Sequence, residues 1–394
     1  MARVLVTDGE ERAALAVVRS LGRAGHDVRV CAARERSLAG ASRWARREAR
    51  VPSPLAEPAA YASAVNALAL RWRCDVLLPV SEASALALLA PAGVRPPVPL
   101  PFPTREAFRA ICDKRRVLEA AEAAGIAVPA QLVLETREAR LAVEPSSITC
   151  PVVVKPARSV RDEGEGRAKQ AVIHAADWVA LRVALDDLPE AAYPVLVQQR
   201  VVGPGVGIFL LTWDQRVRAV FAHRRLREKP PSGGVSVYRE SVAPDPALVR
   251  RASALLAAFE WRGVAMVELK VDQATGTPYL MEVNGRFWGS LQLAIDAGVD
   301  FPALLLDALA GKPAVPPPAY RPGVRSRWWW GEVDHALARL RRSPRALSLP
   351  PGEPGRLAAV ARCLAPHRGD RGEVLRWSDP LPAWRETVDW LGGR

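Results

Sequence analysis

The sequence has no apolar run close to the roughly 20 residues that a helix needs to cross a bilayer, so no membrane-spanning helix is predicted. Near the N-terminus, Asp8, Glu10, Glu11 and Arg12 interrupt any apolar core of a signal peptide. The five cysteines are odd in number and never occur in CxxC spacing. This excludes a Cys-based zinc module and a paired disulfide framework. These absences predict a cytoplasmic protein without a membrane partner.

Lysine is also scarce, because arginine supplies most of the 55 basic residues and of the net charge of +13. The charge is spread along the chain in short runs such as Arg46-Arg47, so composition does not favour a nucleic-acid surface, although electrostatics leave one open. Where arginine is the usual cation, a retained lysine indicates a position that needs a compact charge. The lysines are Lys114, Lys155, Lys169, Lys229, Lys270 and Lys312.

Length and composition predict a globular protein of two to three domains, at about 150 residues each. The N-terminal part alternates between strand patterns at 4–6, 26–30 and 75–80 and helix patterns at about 15–21 and 84–89. This alternation predicts a parallel sheet with helices on its faces. The turn Thr7-Asp8-Gly9 lacks a GxGxxG fingerprint, and both a scaffold role and a substrate contact stay open.

Two proline-rich stretches mark boundaries, the first at Pro91–Pro103 and the second at Pro313–Pro322. Between them the pattern predicts helices over about 104–124 and 177–186, and strands at 151–156, 169–174, 195–199, 206–212, 216–223, 263–272 and 279–284. The glycines at 203, 205 and 207 fit a bulged turn better than a phosphate loop, because a strand follows them. The tail from about 323 is rich in tryptophan, for packing or for a partner or aromatic-substrate surface.

Several polar residues lie where phosphate chemistry would need them. Lys155 ends an apolar strand just before a loop with Ser159, Gly164 and Gly166, where backbone N–H groups can approach an anion. A turn at 275–277 predicts a hairpin that brings Glu268 beside Glu282 and Asn284. Glu282 and Asn284 are two apart and share one face of their strand.

Two carboxylates and an amide oxygen form a hard-oxygen set suited to Mg²⁺ on nucleotide phosphates. Arg286 lies two residues beyond Asn284, where its side chain can hold a transferring phosphoryl group. Taken singly, Lys114 is also consistent with an exposed charge on a helix, and Lys155 is consistent with a residue that simply ends a strand. The order of these features along the chain favours the site.

Over about residues 1–312 the sequence resembles the ATP-grasp superfamily, most clearly at Glu-Val-Asn-Gly-Arg-Phe-Trp-Gly-Ser (282–290). The resemblance implies that Lys114 and Lys155 bind ATP phosphates beneath a flap at 158–167. It implies Mg²⁺, with Mn²⁺ as an alternative, on Glu268, Glu282 and Asn284, and Arg286 as the phosphate-binding arginine. The implied adenine hinge spans 197–203, with Gln198, Gln199, Val201 and Val202 as its contacts.

The sequence departs from this family pattern in two places. Gln199 stands where many relatives carry glutamate, and no ribose-binding carboxylate is present near Pro204. The flap carries an acidic load in Asp162, Glu163 and Glu165, close to the expected triphosphate.

The resemblance implies an α/β and α+β fold in three parts. These are a Rossmann-like parallel domain at 1–103, a two-lobed ATP-grasp domain at 104–312 and a Pro-rich linker with a Trp-rich extension at 313–394. Within the second part, the small lobe is expected at about 125–200 and the metal-binding lobe at about 201–312.

The implied activity is an ATP-dependent ligase that activates a carboxylate as an acyl phosphate and joins it to an amine. The basic stretch 223–229 and the Gly/Ser loop after it suit a carboxylate or acyl phosphate, with Arg224 assisting Arg286, or else form a solvated charge run. The alternatives are a carboxylating or carbamoyl-phosphate-type enzyme and a non-catalytic nucleotide-binding module. The acid, the amine and the oligomeric state, including a homodimer, stay open.

Overall fold

The protein is described here from a computed structural model that covers residues 1–89, 97–163, 166–169, 172–313, 319–349, 352–365 and 367–393. None of the helices in these ranges is long and apolar enough to cross a membrane. The predicted mixture of α/β and α+β architecture is confirmed.

The N-terminal unit is a parallel sheet, as the alternating pattern predicts. Its strands pair in the order β3-β2-β1-β4. The elements are β1 (Arg3–Val6), α1 (Arg12–Arg23), β2 (Asp27–Ala32), β3 (Ala45–Arg50), α2 (Pro58–Arg71), β4 (Val76–Leu78) and α3 (Glu82–Leu88).

The turn at Asp8 joins the carboxyl ends of two neighbouring strands, because β1 pairs with β4. The Asp8 carboxylate accepts hydrogen bonds from the hydroxyls of Ser81 (2.8 Å) and Ser84 (2.5 Å) and from the backbone amides of Val80 and Ser81. These bonds fix the start of α3. Asp8 therefore has a scaffold role in this structure.

The second unit contains an antiparallel sheet in the order β5-β10-β6-β9. Its elements are α4 (Arg105–Ile111), α5 (Lys114–Ala123), β5 (Gln131–Leu134), β6 (Val152–Pro156), β7 (Val160–Glu163), β8 (Gly166–Lys169), β9 (Ile173–Ala175), α6 (Trp178–Asp187) and β10 (Val195–Gln199). Short 3₁₀ helices occupy Glu138–Ala142 and Glu190–Ala192.

The flap region differs from the sequence prediction. Instead of an open loop and one returning strand at 169–174, β7 and β8 form a hairpin in which Val160 pairs with Lys169. A separate strand, β9, then begins at Ile173 and pairs with β6. Polar residues dominate both hairpin strands, so their sequence carries no apolar alternation that would have revealed them.

The largest sheet has the order β15-β14-β11-β12-β13-β16-β17 among the described residues. Its first elements are β11 (Gly205–Trp213), β12 (Arg216–Lys229), β13 (Val235–Ser241), α7 (Pro246–Ala257), β14 (Gly263–Val271), β15 (Pro278–Asn284), α8 (Leu291–Ala297) and α9 (Phe301–Leu309). The remainder are β16 (Arg325–Arg327), α10 (Trp329–Arg341), α11 (Arg356–Leu364), β17 (Asp370–Gly372) and α12 (Leu381–Leu391).

The tryptophan-rich tail contributes to this sheet and contacts the N-terminal unit. Strand β16 pairs with β13, and β17 pairs with β16. Buried Arg19 of α1 donates from Nε to Asp379 Oδ2 at 2.8 Å. Trp330 stacks on Trp390 with ring centroids 4.0 Å apart, which accounts for part of the tryptophan content by packing.

Candidate nucleotide and metal site

The hairpin β14–β15 brings the predicted oxygen ligands together. Glu268 pairs with Glu282 across the two strands. Asn284 Nδ2 donates to Glu282 Oε1 at 2.9 Å, and Arg286 Nη2 donates to Asn284 Oδ1 at 2.8 Å. Arg286 therefore lies on the side of Asn284 that the two-residue spacing predicts.

Both predicted phosphate-binding lysines lie close enough to Glu282 to interact with its charge. Lys114, at the start of α5, donates from Nζ to Ser159 Oγ at 2.8 Å and lies 3.9 Å from Glu282 Oε2. Lys155 donates from Nζ to Gln198 Oε1 at 2.8 Å. Burial raises the pKa of Glu282, but the Lys114 charge and the Asn284 hydrogen bond outweigh it and hold the pKa below its usual value.

Lys155 is a buried cation with a strongly lowered pKa. Burial lowers its pKa from 10.5 to about 8, and the positive charge of Lys114 acts in the same direction. The nearby carboxylates of Glu282 and Glu268 oppose the shift only in part. A lysine in this environment gains its full charge when an anion binds beside it.

We expect triphosphate binding to take up about half a proton at pH 8, because a group with a pKa near 8 is half charged before the anion binds. ATP affinity should then fall as the pH rises above 8, because Lys155 is mostly neutral in the free protein there and must take up a proton when the phosphate binds. Calorimetry in buffers of different ionisation enthalpy measures this uptake. In Lys155→Arg the uptake should vanish, since arginine stays charged. Equal proton uptake by both proteins would remove Lys155 from the phosphate contacts.

A further acid in this cleft was not found from the sequence. Glu82, at the start of α3, lines a small cleft together with Lys114, Ser159, Glu282 and Asn284. Its Oε1 is buried without a hydrogen-bond partner among the described residues. Burial raises the pKa of Glu82, against the charges of Arg286 and Lys114. Its only sequence signal is its place just after β4, at the carboxyl edge of the parallel sheet.

The arginine beside the metal pair is Arg225 and not the predicted Arg224. Arg224 donates from Nε (2.9 Å) and Nη2 (2.6 Å) to Glu240 Oε2. Adjacent residues of a strand point to opposite faces. Arg225 therefore lies on the other face, where its Nη2 is 2.6 Å from Glu268 Oε2.

Two glycines of β11 make this contact fit. Strand β11 lies between β12 and β14, with Gly207 opposite Glu268 and Gly205 opposite Lys270. A Cβ on Gly205 would come within 2.7 Å of Arg225 Cδ. The Gly-x-Gly pattern at 205–207 therefore belongs to strand β11, and the bulged turn predicted from the sequence is wrong. The absence of side chains at these positions leaves room for Arg225 to cross the strand.

The predicted hinge residues differ in exposure. Gln198 is buried and donates from Nε2 to Gln131 Oε1 at 3.2 Å, whereas the Gln199 side chain is exposed. Val201 is buried and the Val202 carbonyl already accepts from the Gln273 amide at 3.0 Å. Of the predicted flap glycines, Gly166 begins β8 and Gly164 lies outside the described residues.

The proposed ligands are two carboxylates and one amide, a set of oxygen atoms that fits a hard divalent cation. In the described ranges, no group of three or more His, Cys, Asp and Glu side chains is arranged to hold a metal ion. Glu282 and Glu268 supply carboxylate oxygens and Asn284 an amide oxygen, which are ligands that Mg²⁺ prefers, usually beside water and phosphate oxygens. The residues present therefore fit Mg²⁺ bound jointly with a nucleotide.

Comparisons with known proteins gave a family match and similar folds. The family described as "ATP-grasp in the biosynthetic pathway with Ter operon" matches residues 192–331. This range contains β10 to β16, and with them the hairpin β14–β15 that carries the proposed metal ligands (the metal hairpin). No curated protein sequence matches the chain.

Solved structures share the fold over most of the chain. An L-amino acid ligase from Bacillus licheniformis has 19% identity and a TM-score of 0.58, with 78% of this chain and 74% of that chain covered. A carboxyaminoimidazole ribonucleotide synthase from Aspergillus clavatus complexed with ATP has 19% identity and a TM-score of 0.61, with 82% of this chain and 80% of that chain covered. A biotin carboxylase–ATP complex from Campylobacter jejuni has 15% identity and a TM-score of 0.62, with 82% of this chain and 74% of that chain covered.

Proposed function

We propose that the chain is an ATP-grasp ligase that uses ATP and Mg²⁺ to join a carboxylate to an amine. The resemblance inferred from the sequence is confirmed by the family match and by the shared fold. The observation that carries the proposed function is the cleft itself. It holds Lys114, Lys155 and Arg286 against Glu282 and Asn284.

The reaction has two steps in this proposal. A substrate carboxylate oxygen attacks the γ-phosphorus of ATP, the bond to ADP breaks, and an acyl phosphate forms. The amine nitrogen then attacks the acyl carbon, phosphate leaves, and the nitrogen loses a proton. No protein nucleophile is needed, so positioning and electrostatic stabilisation provide the catalysis.

The residues divide the work by their charge and position. Lys114 and Lys155 hold phosphate oxygens, and Arg286 stabilises the charge that develops on the transferring phosphoryl group. Glu282 and Asn284 hold Mg²⁺, with Glu268 adjacent. When bound, Mg²⁺ supplies neutralisation of the phosphate charge.

A substrate screen tests the proposal. The purified chain is incubated with ATP and Mg²⁺ and with pairs of small carboxylates and amines, including bicarbonate as an acid. We expect ADP and phosphate to appear only with an acid that the site accepts, with Arg286→Ala run in parallel to identify contaminating ATPase. Turnover with bicarbonate alone would favour the carboxylating alternative. Nucleotide binding without turnover for any pair would favour the non-catalytic module.

A further inference from the structure

Arg225 is a buried cation fixed beside one of the two carboxylates of the metal hairpin. Its Nη2 lies 2.6 Å from Glu268 Oε2, and its Nη1 lies 2.7 Å from Glu228 Oε1 and 3.0 Å from the Gly234 carbonyl oxygen. Only 9% of the Arg225 side chain is exposed. Two acids and a carbonyl thus hold the guanidinium in one place.

This arginine remains charged in its site. A guanidinium keeps its proton in proteins, and this one lies against the carboxylates of Glu268 and Glu228. A buried guanidinium paired with carboxylates is difficult to displace, because removing either charge leaves the other uncompensated. Glu268 is therefore already paired with a cation of the protein, which it shares with Glu228.

The consequence concerns the number of metal ions. Two facing carboxylates such as Glu268 and Glu282 can hold a pair of divalent cations on a nucleotide's phosphates. Here an ion bound to Glu268 would lie within a few Å of the Arg225 guanidinium, and like charges repel strongly in a buried site. Among the described residues, the Glu282 carboxylate has no arginine at such a distance, and Arg286 bonds instead to the neutral amide oxygen of Asn284. Glu282 Oε1 accepts from Asn284, and Glu282 Oε2 lies 3.9 Å from Lys114.

Resting on the proposed ATP site, we propose that Arg225 takes the place of one divalent cation at Glu268, so that the nucleotide-bound protein holds one Mg²⁺, on Glu282 and Asn284. The geometry of β11 supports this arrangement, because Gly205 has no side chain and leaves room for Arg225 to cross the strand. A Cβ at position 205 would lie 2.7 Å from Arg225 Cδ, so the Arg225 side chain would have to shift.

The test counts Mn²⁺ ions by electron paramagnetic resonance in the full chain saturated with a non-hydrolysable ATP analogue. The wild-type chain should bind one Mn²⁺ per bound nucleotide. Arg225→Met with Glu228→Gln should bind two, because Glu268 is released while no unpaired acid is left at position 228. Arg218→Met is the matched control, since Arg218 lies on the same strand and its acidic neighbour is exposed Asp214, 3.6 Å away; it should bind one.

Two ions per nucleotide in the wild-type chain would overturn the proposal, whatever the variants do. One ion in a folded double variant would also overturn it, because Glu268 would then bind no metal even without Arg225. If the double variant does not fold, Gly205→Ala supplies the second comparison and should admit the second ion. A wild-type chain that binds no nucleotide would instead refute the proposed function.

Discussion

Arg286→Ala should lower turnover by about a hundredfold to a thousandfold while changing the dissociation constant of ATP little. Arg286 is held by Asn284 Oδ1 (2.8 Å) and by the Phe287 carbonyl oxygen (2.9 Å), so its guanidinium is oriented before the reaction begins. A preorganised donor stabilises the charge that develops on transfer more than the charge of bound ATP. Steady-state kinetics and calorimetry on the same preparations provide the two values.

Arg262→Ala is a suitable control, because Arg262 stacks on Trp213 at 3.8 Å and has no part in the proposed site. It should leave both values near those of the wild-type chain. Near-normal turnover of Arg286→Ala would reject its role in phosphoryl transfer. A parallel loss of affinity and rate would make Arg286 a binding residue instead.

The combined replacement of Glu282 and Asn284 by alanine should weaken Mg²⁺-dependent ATP binding by about a hundredfold or more. Changes in residues that only support metal ligands cost roughly 10- to 100-fold in affinity, and these two are the proposed ligands themselves. Asn66→Ala with Glu260→Ala is a matched control, since it makes the same two exchanges on α2 and after α7, at residues that do not line the cleft.

Calorimetry with ATP in the presence of Mg²⁺ and in EDTA separates the possible results. We expect tight binding with Mg²⁺ in the wild-type and control chains and weak binding in the double variant. Tight binding that survives EDTA in the wild-type chain would contradict the metal assignment.

The metal hairpin was predictable from sequence because all of its signals are local. Alternation of apolar residues gives β14 and β15, and the turn contains Gly276, whose φ of +71° is a conformation that glycine adopts readily. The register that continues from the turn would place Glu268 opposite Met281, and a β-bulge between Glu268 and Leu269 shifts it opposite Glu282. The face shared by Glu282 and Asn284 follows from the period of a strand.

Arg225 and Glu82 were not predictable in the same way, because their roles depend on contacts between distant segments. Arg225 meets Glu268 only because β11 separates β12 from β14 and carries glycine where the side chain crosses. Glu82 reaches the cleft only because the N-terminal unit packs against α5 and β15. The part of β12 beyond residue 223 was not predicted as a strand, because it is rich in charged residues. Its arginines pair with acids from other elements, which the sequence does not reveal.

Transfer of ¹⁸O from the carboxylate substrate tests the acyl phosphate route most directly. With an acid–amine pair that supports turnover, the acid is labelled in both carboxylate oxygens, and the phosphate and nucleotide products are analysed by mass spectrometry. The account predicts one ¹⁸O atom in each phosphate released and none in ADP. Unlabelled phosphate, or AMP that carries the label, would contradict attack of the carboxylate on the γ-phosphate of ATP.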